Sequence, residues 1–187
     1  MSNVPKIVCL VGPSGVGKTS FTRRLTERYD LRLPTVVTTR KARIDDDGRY
    51  KYVTEEEFVS MIGQDYFLEW DKYMDYYYGT PMHCIPGMAT CSLDRIMLLD
   101  LTPKGCLKVR TKFPDALIIA LLPDDPTWLE TRLIGRNSQP MSEIKARVRL
   151  LHEYLAEIER LPDCKKVFVS FSPESWDRTS EEIASLI

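Results

Sequence analysis

With 187 residues, 43% of them apolar and 28% charged, the chain has the composition of one soluble globular domain, with room for a small inserted lobe. Its 26 basic and 27 acidic residues leave a formal charge of −1, which argues against a nucleic-acid or membrane-surface protein. The longest apolar run, 116–122, is strand length, and no charged leader precedes a long apolar stretch, so a cytoplasmic protein with no membrane contact is expected. The five cysteines form no CxxC pair, consistent with reduced thiols. His83, Cys84 and Cys91 lack a second close pair and do not make a metal set.

Along the chain, apolar runs alternate with amphipathic stretches, which predicts an α/β fold with a mostly parallel sheet. A buried strand is expected over 7–11, a helix over 18–29 and a short strand over 36–38. Residues 40–82 are rich in acids and aromatics, among them Tyr50, Tyr52, Phe58, Tyr66, Phe67, Trp70 and Tyr73, and read as an inserted lobe. Strands follow over 96–101 and 116–122, the latter stopped by Pro123, and Pro126 can open a helix carrying Trp128, Leu129 and Leu133. Ile144, Val148, Leu151, Leu155 and Ile158 mark one face of a long helix over 143–161, with Ser142 as its expected N-cap. A last strand over 166–171 and a closing helix over 180–186 complete the reading.

The most specific motif is Gly12-Pro13-Ser14-Gly15-Val16-Gly17-Lys18-Thr19, which fits G-x-x-x-x-G-K-[ST] between a strand and a helix. Glycines let such a loop curl so that its N–H groups, with the helix N-terminus, cradle a β-phosphate. Lys18 then reaches the β- and γ-phosphates, and the Thr19 hydroxyl ligates Mg²⁺. The loop alone fits ATPases, GTPases, motors and kinases equally.

Two basic groups narrow the choice. Thr38-Thr39-Arg40-Lys41-Ala42-Arg43 follows the second strand, and Arg132-x-x-x-Arg136 with Arg147 lies in a stretch, 132–149, that holds five basic residues and one acid. A kinase that joins two highly charged substrates needs arginines from outside its phosphate loop.

With these motifs in place the sequence resembles the guanylate kinase family. The resemblance is carried by GPSGVGKTS at 12–20, TTRKAR at 38–43, Gly48-Arg49-Tyr50, EEFVSMI at 56–62, YFLEW at 66–70, YYGT at 77–80, LLDL at 98–101, RLIGR at 132–136 and Ile144-x-x-Arg147. It implies a P-loop three-layer fold with a central, mostly parallel five-stranded sheet. The core would be residues 1–37 and 90–187, with an acceptor-binding lobe over about 38–89 and a lid over about 132–147.

It further implies ATP as donor, held by residues 12–20 (Ser20 included), Arg132 and Arg136, with Mg²⁺ on Thr19. GMP or dGMP would be the acceptor. Its phosphate would be gripped by Arg40, Arg43, Tyr50 and Tyr78, and its guanine by Glu69 and Thr80, the latter donating to O6. Asp100 resembles the acid of the acceptor site, and Lys18, Arg40, Arg136 and Arg147 would stabilise the transferring phosphoryl group. Partners would be small-molecule nucleotides only, and the protein a monomer or homodimer.

The sequence departs from the family pattern at several places. Val36 stands where a small polar residue is usual, and Thr102 where a second acid follows Asp100. The stretch from Arg43 to Tyr50 is shorter than usual, and Pro86-Gly87 interrupts the helix expected after YYGT. Losing one neutral hydrogen bond to the base costs about 0.5–1.5 kcal/mol, a factor of roughly 2–13. Two other readings fit part of the pattern: a kinase of a modified nucleotide or phosphosugar, and a non-catalytic guanylate-kinase-like binding module.

Overall fold

The computed structural model describes residues 7–42, 46, 48–85, 96–134 and 141–187. Strand β1 (Ile7–Val11) is buried along its whole length and enters helix α1 (Lys18–Arg28) through the glycine loop. Strands β2 (Leu31–Arg32) and β3 (Val36–Thr38) follow, then β4 (Tyr50–Tyr52), helix α2 (Glu55–Gly63) and the hairpin of β5 (Phe67–Tyr73) and β6 (Tyr76–Pro81). Beyond them come β7 (Ile96–Leu101), α3 (Pro103–Lys112), β8 (Leu117–Pro123), α4 (Pro126–Ile134), α5 (Met141–Glu159), β9 (Cys164–Val169) and α6 (Pro173–Leu186).

The central sheet has the order β2-β7-β1-β8-β9 with every pairing parallel. Both faces are covered, which is why β1 and β8 read as unbroken apolar runs and not as alternating ones. One face packs Cys9, Leu99, Ile118 and Ala120 against Cys106 and Val109 of α3 and Ile158 of α5. The other packs Val8, Leu10, Ile119 and Val167 against Phe21 and Leu25 of α1 and Ile183 of α6. The result is three layers, helix on sheet on helix.

A second sheet, β4-β3-β6-β5, has its own small core of Val37, Phe58 and Phe67. Phe58 of α2 stacks on Phe67 at 4.5 Å and on Tyr77 at 5.2 Å. Thr54 and Glu57 form a reciprocal capping box that starts α2. Val36–Thr38 belongs to this second sheet, and the edge of the central sheet is β2 instead. Pro34, which has no N–H to give a ladder, separates the two.

Two helix starts differ from expectation. Helix α5 begins at Met141, so Ser142 lies inside its first turn and not at the N-cap position expected. Helix α6 begins seven residues earlier than expected, at Pro173, because Ser172 caps it by accepting the Ser175 N–H at 3.2 Å and proline suits the first helical position. Pro86-Gly87 lies outside the described residues. No helix among the described residues is long and apolar enough to cross a membrane.

Candidate active site

The phosphate loop is anchored at both ends by close packing. A side chain at Gly12 would place its Cβ 2.7 Å from the Leu121 carbonyl oxygen, so the loop leaves β1 hard against β8. Gly15 and Gly17 take positive φ values of 88° and 108°, a region that favours glycine. Helix α1 starts at Lys18 with no side-chain cap and no acid in its first turn. Its first N–H groups and positive dipole end are therefore left to face an anion. Thr19 is exposed on that first turn. Lys18 Nζ donates to the carbonyls of Gly12 (2.6 Å) and Pro13 (3.3 Å) and lies 3.9 Å from Asp100 Oδ1. The loop thus offers what a nucleoside triphosphate and its Mg²⁺ need: uncapped donors, a lysine cation and an accessible hydroxyl.

Gly12, Ser14 and Lys18 form one wall of a cleft of about 1060 Å³, measured out to open solvent. Asp100 and Leu101 at the end of β7 and Thr102 just after it line the same cleft, as do Glu69, Asp71, Tyr78 and Thr80 of the second sheet and Val36, Arg49 and Tyr50. The structure therefore brings Lys18, Tyr50, Glu69, Tyr78, Thr80 and Asp100 to one cavity.

Glu69 is deeply buried on β5, opposite Thr80 on β6. Its Oε1 accepts the Thr80 N–H at 3.2 Å and the Thr80 hydroxyl at 2.7 Å. Thr80, expected to donate to a guanine O6, here directs its proton at Glu69. Burial pushes the Glu69 carboxyl up to about 7, with the Thr80 hydrogen bonds and the charge of Lys108 opposing. Two lysines of α3 fix the strand on either side: Lys112 donates to the Leu68 carbonyl at 2.8 Å and Lys108 to that of Trp70. Burial also pushes the Asp100 carboxyl up, against the charges of Lys18 and Arg49.

Arg40 sits differently from expectation. Its side chain is buried and its guanidinium makes a two-pronged pair with Asp46, Nη1 donating to Oδ2 at 2.9 Å. Nη1 also donates to the Lys41 carbonyl at 2.8 Å, and the group lies 4.4 Å from the Tyr50 ring centre. The Tyr52 hydroxyl donates to the same Asp46. Burial alone would lower the Arg40 pKa, but the bonds and charge of Asp46 outweigh it and hold the guanidinium charged.

Arg132 of α4 lies over Phe171 (5.4 Å) and Trp176 (5.5 Å), outside the cleft. Trp176 stacks on Phe21 of α1 at 4.9 Å. Arg147 lies on α5, with its side chain outside the described set, and Arg43 and Arg136 lie outside the described residues altogether. Sequence reasoning missed Arg49, Asp71 and Tyr154 as lining residues. Asp71 was findable, because it stands two residues after Glu69 and a strand turns such residues to one face. Tyr154 is two helical turns beyond Arg147, and it meets Tyr73 edge-on at 5.9 Å.

A parallel sheet between two helix layers that carries a P-loop, with a buried acid of a second sheet lining the same cleft, is the arrangement of a P-loop nucleoside monophosphate kinase. A family model described as guanylate kinase matches residues 4–167. The guanylate kinase of Caldanaerobacter subterraneus subsp. tengcongensis is 36% identical over 157 residues, covering 82% of this chain and 75% of the relative. That of Prochlorococcus marinus subsp. pastoris is 35% identical over 151 residues, covering 79% and 81%. The chain belongs to the guanylate kinase family. The fold agrees with a solved structure, the guanylate kinase from Anaplasma phagocytophilum, at a TM-score of 0.68 and 20% identity over 98% of this chain and 84% of that one.

Proposed function

We propose that the protein is a cytoplasmic enzyme that transfers the γ-phosphoryl group of ATP to GMP or dGMP, giving ADP and the nucleoside diphosphate. The observation that carries this reading is that Lys18 of the phosphate loop and the buried Glu69 face one cleft. Residues 12–20 would hold the ATP phosphates, with Lys18 turning from the Gly12 carbonyl to the β- and γ-oxygens. Thr19 would hold Mg²⁺, which supplies charge neutralisation at the phosphates.

On the acceptor side, the ionised Glu69 accepts from guanine N1–H and the 2-amino group. Adenine presents an acceptor there and no amino group, so it leaves the buried carboxylate unpaired and is rejected. Thr80 serves by orienting Glu69. Arg40 and Arg43, with the hydroxyls of Tyr50 and Tyr78, grip the acceptor phosphate, since guanidinium groups suit a phosphate dianion. Asp100 lies beside Lys18 and the acceptor. Arg132, Arg136 and Arg147 belong to a lid over ATP, the last two neutralising charge on the transferring group. No covalent nucleophile is required, because positioning and charge stabilisation do the chemistry.

ADP release measured against a panel of nucleoside monophosphates tests the reading. GMP and dGMP should react and AMP should not. Activity on another monophosphate with both guanine nucleotides inert would overturn it. Lys18→Ala should remove nearly all transfer, which a pure binding module would not register.

A further inference from the structure

We infer that Asp71 is a specificity-determining residue of the acceptor site, supplying a second carboxylate for the 2-amino group of the purine from the lobe strand β5. The inference rests on the GMP reading above. It starts from a shortage of acceptors. The guanine edge facing Glu69 carries three hydrogens, one on N1 and two on the amino group. A carboxylate offers about four lone-pair positions. Glu69 Oε1 already accepts two bonds from Thr80. Its Oε2 lies against the Gly105 backbone, where an added Cβ would come within 2.9 Å. Glu69 alone is poorly placed to take every hydrogen on that edge.

Asp71 lies on the same face of β5 and lines the same cleft. The two residues stand about 7 Å apart along the strand, a gap that their side chains can close around one amino group. Asp71 is also fixed in place. Its Oδ2 accepts the Thr102 hydroxyl at 2.6 Å and its Oδ1 the Lys72 N–H at 2.9 Å. Thr102 is meanwhile the N-cap of α3, its oxygen accepting the Gly105 N–H at 3.1 Å. In the pattern the sequence resembles, an acid stands at the position of Thr102. Here that position holds a hydroxyl that reaches across to an acid on the facing sheet. The charge has moved from β7 to β5, and the threonine aims it.

Inosine monophosphate, the same purine without the 2-amino group, is the probe. Wild-type enzyme should prefer GMP over inosine monophosphate. Asp71→Ala should lower kcat/KM for GMP by about ten-fold or more, as expected for a lost hydrogen bond to a charged group, mainly through KM. It should leave kcat/KM for inosine monophosphate nearly unchanged. Asp71→Asn, which keeps an oxygen for Thr102, should show the same selective loss in smaller degree. Adding Thr102→Asp to Asp71→Ala should restore the preference for GMP. An equal fall on both nucleotides, or no fall on GMP, overturns the inference while leaving the kinase reading intact. Wild-type enzyme inert on both nucleotides would overturn the two together.

Discussion

Arg40 and Asp46 are locked in a two-pronged ion pair, with side-chain exposures of 5% and 13%. A buried cation needs a counter-charge, and Asp46 supplies it. Removing it by Asp46→Ala should lower the stability of the free enzyme by roughly 3 kcal/mol, the scale for breaking one partner out of a buried pair. An acceptor phosphate would then supply the missing charge. Thermal melts with and without saturating GMP should show a larger ligand-induced rise in Tm for the variant than for wild type. An equal rise in both would mean that the acceptor phosphate does not reach Arg40.

Glu69 gives a pH dependence with a definite sign. Its folded value of about 7 lies above the ordinary carboxylate value of 4.5. Between those values the folded state holds a proton that the unfolded state has lost. This group therefore stabilises the fold as pH falls from about 7 toward 4.5, and the contribution fades as pH rises through 7. Guanine recognition runs the other way, because N1–H and the amino group need the ionised form. KM for GMP should rise as pH drops below 7 while KM for ATP stays flat. Unfolding titrations of wild type and Glu69→Gln from pH 5 to 8 should differ in slope with the stated sign, because the glutamine cannot titrate.

The central sheet and the phosphate loop were legible in the sequence because local signals there agree with the fold. Burial on both faces writes β1 and β8 as apolar runs, and the loop's glycines and lysine sit at fixed spacings. The second-sheet side of the cleft was legible only in part. Glu69, Tyr78 and Thr80, which line it, were singled out through short motifs, but the ladder pairing that sets Glu69 opposite Thr80 is a long-range fact. Nothing in the segment around Arg40 announces that Asp46, six residues on, would take both prongs of its guanidinium. The bond from Thr102 to Asp71 joins two sheets across 31 residues of sequence, a contact that no periodicity encodes. The start of α6 was missed for a simpler reason. Ser172-Pro173 is a readable start signal, but the expected strand runs through Phe171 up to its edge, whereas β9 stops at Val169.

Gly17 should tolerate no side chain without loss on the donor side. Its φ of 108° is strained for any L residue, and an added Cβ would meet the Trp176 ring at 3.0 Å and Phe21 at 3.2 Å. Gly17→Ala should therefore lower stability by about 1–3 kcal/mol. It should also turn the first N–H groups of α1 away from the phosphates. Steady-state kinetics should show KM for ATP rising by a much larger factor than KM for GMP. A variant with unchanged ATP binding would show that the loop geometry is not what holds the donor.

Gly105 should act in the complementary direction. It lies in the first turn of α3, and an added Cβ would come within 2.9 Å of Glu69 Oε2 and 3.4 Å of Leu101 Cβ. Alanine suits a helix better than glycine by about 1 kcal/mol, so Gly105→Ala gains locally in α3. The buried Glu69 has little freedom to yield, because Thr80 holds its other oxygen and Lys108 and Lys112 pin the strand around it. The carboxylate must therefore leave its present place, which would disturb a purine bound against it. Gly105→Ala should leave KM for ATP unchanged while raising KM for GMP several-fold. Equal KM values for GMP in wild type and Gly105→Ala would mean that the base does not bind against Glu69.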